Sequence, residues 1–178
     1  MARKVNPVPK GYRTATPYLT VRGVEAAIDF YHRAFGAEQL SCVYGPDGLS
    51  IVHAEIKIGN SIVLLGEEMP EFGVWCPASL QGSASVTHLY LPKVTEIWEQ
   101  ALEAGATVVV PLSEVYWGEM FGKIVDPFGH VWSLSKRIEM LSPQEIATRA
   151  TAGLAVIETD IADLEQVSAI DTLEGATA

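Results

Sequence analysis

Two histidines and one glutamate have the residue types and the spacing that catalysis or metal binding needs. His53 and Glu55 alternate with apolar residues along Ser50–Ile58, so a strand would place both on one face, opposite an entirely apolar face. His88 lies in a second short alternating stretch. An imidazole near a carboxylate can act as a general acid and base, and both groups bind several divalent metals. If the protein is an enzyme, the candidate catalytic residues are His53, Glu55 and His88.

The same residues also fit simpler roles. His53 and Glu55 are equally consistent with a hydrogen-bonded pair on a solvated sheet face, and His88 suits a binding or structural group better than a metal ligand. Trp98 and Trp132 fit core positions, whereas Trp75 and Trp117 lie in loops and could stack on a ligand. The candidate ligand-binding residues are Thr16, Tyr18, His53, Glu55, Trp75, His88, Tyr90, Trp117, Glu119 and Ser133.

An internal repeat indicates the elements that position these residues. Residues 17–36 and 88–105 each read as a short alternating strand, a turn and a helix with one apolar stripe at helical period. Each helix ends at a glycine, Gly36 or Gly105, where a left-handed residue would cap it. The offset between the copies is about 70 residues.

Each helix is followed by three segments with strand character, separated by glycine-containing turns such as Gly45-Pro-Asp-Gly48 and Asp126-Pro-Phe-Gly129. The predicted strands are Glu38–Tyr44, Ser50–Ile58, Ser61–Leu65, Thr107–Val110, Gly122–Val125 and His130–Ser135. We therefore predict an α+β fold in which two βαβββ repeats, residues 12–66 and 85–136, form curved mixed sheets around a cup-shaped cleft. Residues 67–84 would be a linker or lid, and residues 137–178 an acidic, helical or partly disordered extension.

Several motifs in this order resemble one known family. The segments TPYL, AIDFYHRAFGAE, HAEI followed by a glycine turn, and DPFGHVWSL resemble the vicinal oxygen chelate superfamily of glyoxalases, bleomycin-resistance proteins and dioxygenases. More narrowly, they resemble its phosphonate-cluster-protein-like and demethylubiquinone-methyltransferase-like subgroup. The resemblance covers about residues 11–137. Methyl transfer is not implied, because no glycine-rich nucleotide-binding loop follows a strand.

The resemblance also indicates where a metal would be bound. Metal-using members place one ligand, typically His or Glu, on the first and on the last strand of each repeat. The matching positions here are Thr16 and Val63 or Leu64 in the first repeat, and Val86 and Ser133 in the second. Hydroxyls and hydrocarbons are poor ligands, so we expect no metal and no other cofactor. The alternative is a divalent metal displaced to a non-standard site formed by His53, Glu55 and His88.

Composition and charge exclude several function classes. The 178 residues are 48% hydrophobic and 19% charged, a normal globular balance, and no apolar run is long enough for a membrane span. From Ile138 onward there are eight acidic residues and one basic residue, and nowhere is there the basic stripe that nucleic-acid binding requires. Two cysteines without metal-like spacing, and no apolar signal in the first ten residues, lead us to expect a cytoplasmic protein.

The C-terminal extension begins with a helix-capping pattern. Ser142-Pro-Gln-Glu145 has a cap residue, a proline at the first helical position and a reciprocal glutamate, which predicts a helix to about Ala152. Ile157, Ile161 and Leu164 suggest a second amphipathic helix.

Three functions remain open. The apolar cup with loop tryptophans favours a small-molecule-binding protein that sequesters a hydrophobic or aromatic ligand. We expect a homodimer, because each repeat leaves an edge strand unpaired. The alternative is an isomerase, lyase or cyclase using His53, Glu55 or His88. A third reading, a protein-binding module acting through the acidic extension, would leave the duplicated cup without a role.

Overall fold

The computed structural model describes residues 5–152. In chain order the elements are β1 (Tyr18–Val21), α1 (Val24–Phe35), β2 (Glu38–Tyr44), β3 (Ile51–Ile58), β4 (Ser61–Glu67), a 3₁₀ turn (Pro70–Phe72), α2 (Pro77–Leu80), β5 (Val86–Tyr90), α3 (Val94–Ala104), β6 (Thr107–Val115), β7 (Glu119–Val125), β8 (Val131–Arg137) and α4 (143–152). The second helix expected after residue 153 lies outside the described residues.

The strands form two four-stranded mixed sheets with the same topology. Their orders are β1-β4-β3-β2 and β5-β8-β7-β6, and in each the first strand of the repeat pairs in parallel with the last. This confirms the predicted α+β fold of two βαβββ repeats. The chain divides into two compact units: one holds residues up to 113 and 121–136, and the other holds 114–120 and the residues from 137 onward.

The core of the first unit lies between the sheets and the helices. Ala54, Ile56 and Ile58 of β3 are at most 4% exposed, while the residues between them are only partly covered, so the predicted alternation is the one observed. Trp98 and Trp132 are buried as predicted. On β4, Leu64 pairs with Tyr18 of β1, just as Ser133 of β8 pairs with His88 of β5. The neighbouring residue Val63 is buried. Leu64, not Val63, is therefore the residue equivalent to Ser133.

A distant carboxylate caps the first helix. Gly23 precedes α1 with a left-handed φ of 87° and cannot provide a side-chain cap. Instead Glu67, at the end of β4, accepts hydrogen bonds from the backbone amides of Gly23 and Val24 at 2.9–3.1 Å. The negative charge also interacts favourably with the helix dipole. The start of α1 is thus fixed by the sheet that it packs on.

A buried aspartate connects the first helix to the last strand. Asp126 is 4% exposed and accepts four hydrogen bonds. Oδ1 accepts hydrogen bonds from the backbone amides of Phe128 and His130 at 2.9 Å. Oδ2 accepts hydrogen bonds from the Tyr31 hydroxyl at 2.7 Å and from the Trp132 indole N–H at 2.8 Å. Burial, and then the neighbouring Asp126, raises the pKa of Tyr31 well above its ordinary value, so Tyr31 remains a donor. The Asp-Pro-Phe-Gly turn is therefore a structural centre of the fold.

The linker between the repeats is attached to both of them. The Cys76 amide donates to Glu68 at 2.9 Å, Arg22 reaches Ser79 at 2.6 Å, and the Ala78 amide donates to the carbonyl of Phe128 at 3.2 Å. The side chain of Glu68 is only 4% exposed and also pairs with Arg22. A lid movement of α2 would have to break these bonds.

Two strands of the second repeat extend further than the sequence indicated. β6 continues through Pro111 to Val115, which an edge strand tolerates because one side of its backbone needs no partner. β7 begins at Glu119 rather than Gly122, so Glu119 belongs to a strand and only Tyr116–Gly118 form the turn before it.

Candidate functional site

The first sheet carries a tyrosine–histidine pair. Tyr18 Oη lies 3.1 Å from His53 Nδ1, and the two rings meet edge to face with centroids 5.5 Å apart. The ring of Tyr18 crosses Gly66, which pairs with His53 across β3 and β4. A Cβ added at Gly66 would lie 2.9 Å from the tyrosine ring. The absence of a side chain at Gly66 therefore allows this pair to form.

The segment before β1 covers part of the same face. The nearby carboxylate of Glu55 raises the pKa of the Tyr12 phenol above its ordinary value. Gly11 approaches Ile62, whose side chain is 8% exposed. Sequence reasoning missed Tyr12 because the segment before β1 has no periodicity that predicts its path.

The second sheet holds His88 in a fixed orientation. Its Nδ1 lies 2.7 Å from Oγ of Ser133, which is 3% exposed. The edge of Tyr90 meets the imidazole at a centroid distance of 4.6 Å, and Phe121 lies nearly parallel to it at 6.4 Å. Phe121 was not among the predicted site residues because β7 was expected to begin after it. With Nδ1 engaged by Ser133, Nε2 is the ring nitrogen that can meet a ligand.

A partly enclosed cavity lies where the two repeats meet, and we call it the seam cavity. Its volume is about 230 Å³. Its walls come from the segment before β1, from the end of β3 and the start of β4, and from β5. The residues that line it are Arg13, Ala15, Thr16, Pro17, Ile58, Ser61, Ile62, Val63, Thr87, His88 and Leu89. Apolar side chains predominate, and the polar ones include the predicted site residues Thr16 and His88.

The remaining predicted site residues lie elsewhere. In the second unit Trp117 donates its indole N–H to Glu119 at 3.1 Å, and both line a separate hollow of about 250 Å³ with Arg137, Met140 and other residues. Trp75 is 46% exposed in the linker. A larger hollow of about 550 Å³ lies between α1 and α3, but it is open and lined mainly by polar residues such as Arg33 and Glu103.

The structure thus groups the predicted residues into separate sets. Tyr18, His53 and Glu55 share the first sheet, and His88, Tyr90 and Ser133 share the second. Of the ten predicted ligand-binding residues, two line the seam cavity, Thr16 and His88. Arg13, the cationic residue in that lining, was not among the predicted site residues, since nothing in its sequence neighbourhood indicates a binding role.

Comparison with known proteins agrees with the repeat topology. The family model of the Glyoxalase/Bleomycin resistance protein/Dioxygenase superfamily matches residues 13–134. The chain belongs to this superfamily. An uncharacterized protein of Mycobacterium tuberculosis is 39% identical over 134 residues, which cover 74% of this chain and 78% of that protein. Protein YjdN of Escherichia coli is 27% identical over 140 residues, covering 67% and 92%.

A solved structure shares the fold. The crystal structure of TioX from Micromonospora sp. ML1 matches with a TM-score of 0.55 and 23% identity, covering 73% of this chain and 100% of that one. At that identity the likeness concerns the fold alone.

The metal positions of the superfamily do not carry suitable ligands here. The positions that the family resemblance indicates for metal ligands are Thr16, Leu64, Val86 and Ser133, where the strand pairing selects Leu64 over Val63, and none of the four has an imidazole or a carboxylate. The hydroxyl of Thr16 bonds to the Arg13 carbonyl at 3.1 Å, and that of Ser133 bonds to His88. Within residues 5–152 no three His, Cys, Asp or Glu side chains come together as a metal-binding group. These residues do not fit the metal that members of the superfamily hold at those positions.

Proposed function

We propose that this superfamily member is a small-molecule-binding protein whose ligand, hydrophobic or aromatic, enters the seam cavity. The observation that supports the proposal is the composition of the lining, in which apolar side chains are combined with polar ones. The polar lining residues are Arg13, Thr16, Ser61, Thr87 and His88. Sites of this kind typically use apolar area for affinity and a few polar atoms for orientation. The volume of about 230 Å³ suits a ligand of about one ring.

Native mass spectrometry of freshly purified protein tests this proposal, because it reports retained ligand, metal and oligomeric state together. Ala15→Trp fills the cavity from its rim and should abolish retention of the ligand. Ala26→Trp, at an exposed position of α1, is the matched control and should retain it. Equal retention by both variants would place the ligand elsewhere and contradict the proposal.

An enzymatic role is the second candidate, and the pairs on the first sheet favour it. His53 has a hydrogen-bonded tyrosine partner, Tyr18, and Glu55 on the same strand is near enough to Tyr12 to raise its pKa, so these groups could tune proton transfer. A metal-free isomerase, lyase or cyclase would use these groups or His88. Alanine substitution of His53, Glu55 and His88 separates the candidates. Loss of turnover of a retained compound, with its binding intact, would replace sequestration by catalysis.

We further propose a homodimer in the cytoplasm. β2 is an edge strand, and its side chains Leu40, Val43 and Tyr44 are 46–55% exposed, a surface that a second copy could cover. Sedimentation as a monomer at micromolar concentration would contradict the dimer. No helix among residues 5–152 is long and apolar enough to cross a membrane.

A further inference from the structure

We infer that the seam cavity recognises its ligand through a single carboxylate held by Arg13. This inference rests on the proposed binding function and specifies the chemical class of the ligand: a small monocarboxylic acid with an apolar body.

The first observation is that, among residues 5–152, the exposed guanidinium of Arg13 has no protein partner. Arg22, Arg33 and Arg149 form ion pairs with Glu68, Asp29 and Glu139 at 2.8–2.9 Å. Within residues 5–152, the side chain of Arg13 makes no hydrogen bond and no ion pair, yet Arg13 lines a mainly apolar cavity. A charged group at such a position can gain most from an anion supplied by a ligand.

The second observation is that the local backbone holds Arg13 beside the cavity. Its carbonyl accepts the Thr16 hydroxyl at 3.1 Å, which closes a turn just before β1. This use of the Thr16 hydroxyl fixes the backbone of Arg13 relative to the edge of the first sheet. The guanidinium fork can then form two parallel hydrogen bonds to a carboxylate, a geometry that a lysine cannot reproduce.

The third observation is the balance of charge in the lining. Arg13 is the one permanently cationic residue among the lining residues, so it matches one negative charge. A dianionic phosphate would leave a charge uncompensated. The whole chain carries a net charge of −10, so its overall field repels anions and the local guanidinium must provide the attraction. His88 Nε2 can add a second polar contact, while Leu89, Ile62 and Val63 contact the apolar body.

Benzoate and its neutral isostere benzamide test the inference on the full chain. We expect ¹⁵N-detected titration to shift the amides of Thr16, Thr87 and Leu89, with benzoate binding about ten- to hundredfold more tightly than benzamide, the usual range for a charged hydrogen-bonded pair. Arg13→Gln should abolish this preference, so that benzoate and benzamide bind equally. Lys10→Gln removes a positive charge three positions earlier in the chain and outside the cavity lining; it is the matched control and should keep the preference.

The outcomes separate the carboxylate inference from the proposed function. If benzoate and benzamide bind the seam equally, or if Arg13→Gln keeps the preference, the carboxylate inference is overturned and ligand binding in the cavity stands. If neither compound shifts the seam amides at millimolar concentration, both are overturned. Equal loss of preference in Lys10→Gln and Arg13→Gln would show a general charge effect and would also overturn the assignment to Arg13.

Discussion

Replacing Asp126 with asparagine should destabilise the protein strongly, although the two side chains have nearly the same shape. The carboxylate accepts four donors, and two of them, the backbone amides of Phe128 and His130, can still bond to an asparagine carbonyl oxygen. The new amide nitrogen would then face the Tyr31 hydroxyl and the Trp132 indole. A hydroxyl can turn and accept, but the indole N–H is only a donor. One buried donor therefore loses its partner and meets another donor.

The expected cost is the loss of a hydrogen bond to a charged acceptor together with one unsatisfied buried group, about 2–4 kcal/mol of unfolding free energy. For a chain of this length, about 3 kcal/mol corresponds to a fall in Tm of roughly 6–12 °C. Tyr31→Phe is the matched control, because it removes a single bond and leaves Asp126 with three donors. That change should cost about 1–2 kcal/mol.

Urea unfolding followed by tryptophan fluorescence and far-ultraviolet circular dichroism measures both variants, provided that the m-value is unchanged. The two probes should give coincident transitions. An Asp126→Asn variant within about 0.5 kcal/mol of the wild type would refute the reasoning, because it would mean that the buried donors find other partners. The same conclusion would follow if Tyr31→Phe cost more than Asp126→Asn.

Three other substitutions test the cap of α1, the pH-dependent contribution of Glu68 and the contact between Tyr18 and Gly66. Glu67→Ala should lower the unfolding free energy by about 1 kcal/mol in urea titrations, since it removes the cap of α1. The Ser79 hydroxyl and the Cys76 amide lower the pKa of Glu68 from 4.5 to about 2. The stability that this carboxylate provides is therefore full above pH 4.5 and is lost as the pH falls toward 2, and Glu68→Gln should flatten that part of the stability–pH curve. Gly66→Ala should displace the ring of Tyr18 and shift the imidazole resonances of His53, while costing less than about 1 kcal/mol because an exposed side chain can swing away.

The repeat architecture could be predicted from the sequence because it depends on local patterns. Period-two alternation along β3 and the helical stripe of α1 identify these elements without reference to anything distant in the chain. The glycines that end α1 and α3 have positive φ, as their positions predicted. The strands of the second repeat were harder to delimit, since the edge strand β6 tolerates a proline that would end a central strand.

The contacts of the candidate site depend on residues far apart in the chain. The sequence indicated that His53 and Glu55 share a face, but Tyr18, which bonds to His53, is 35 residues away in the chain. The pairing of His88 with Ser133 spans 45 residues and follows from the parallel register of β5 and β8. No local pattern specifies such a register, because it is selected by the packing of whole sheets against helices.

The sequence alone determined the two-repeat fold and its family, because both follow from residue type, motif order and local period; the lack of imidazole or carboxylate groups at the metal positions stays a prediction from the resemblance. Only the tertiary structure decided that Leu64 rather than Val63 is the equivalent of Ser133, and that Arg13 lies beside His88 in one cavity. The first depends on the strand register inside each sheet, and the second depends on how the edges of the two sheets come together. That arrangement is a property of side-chain packing over long sequence separations, which periodicity does not encode.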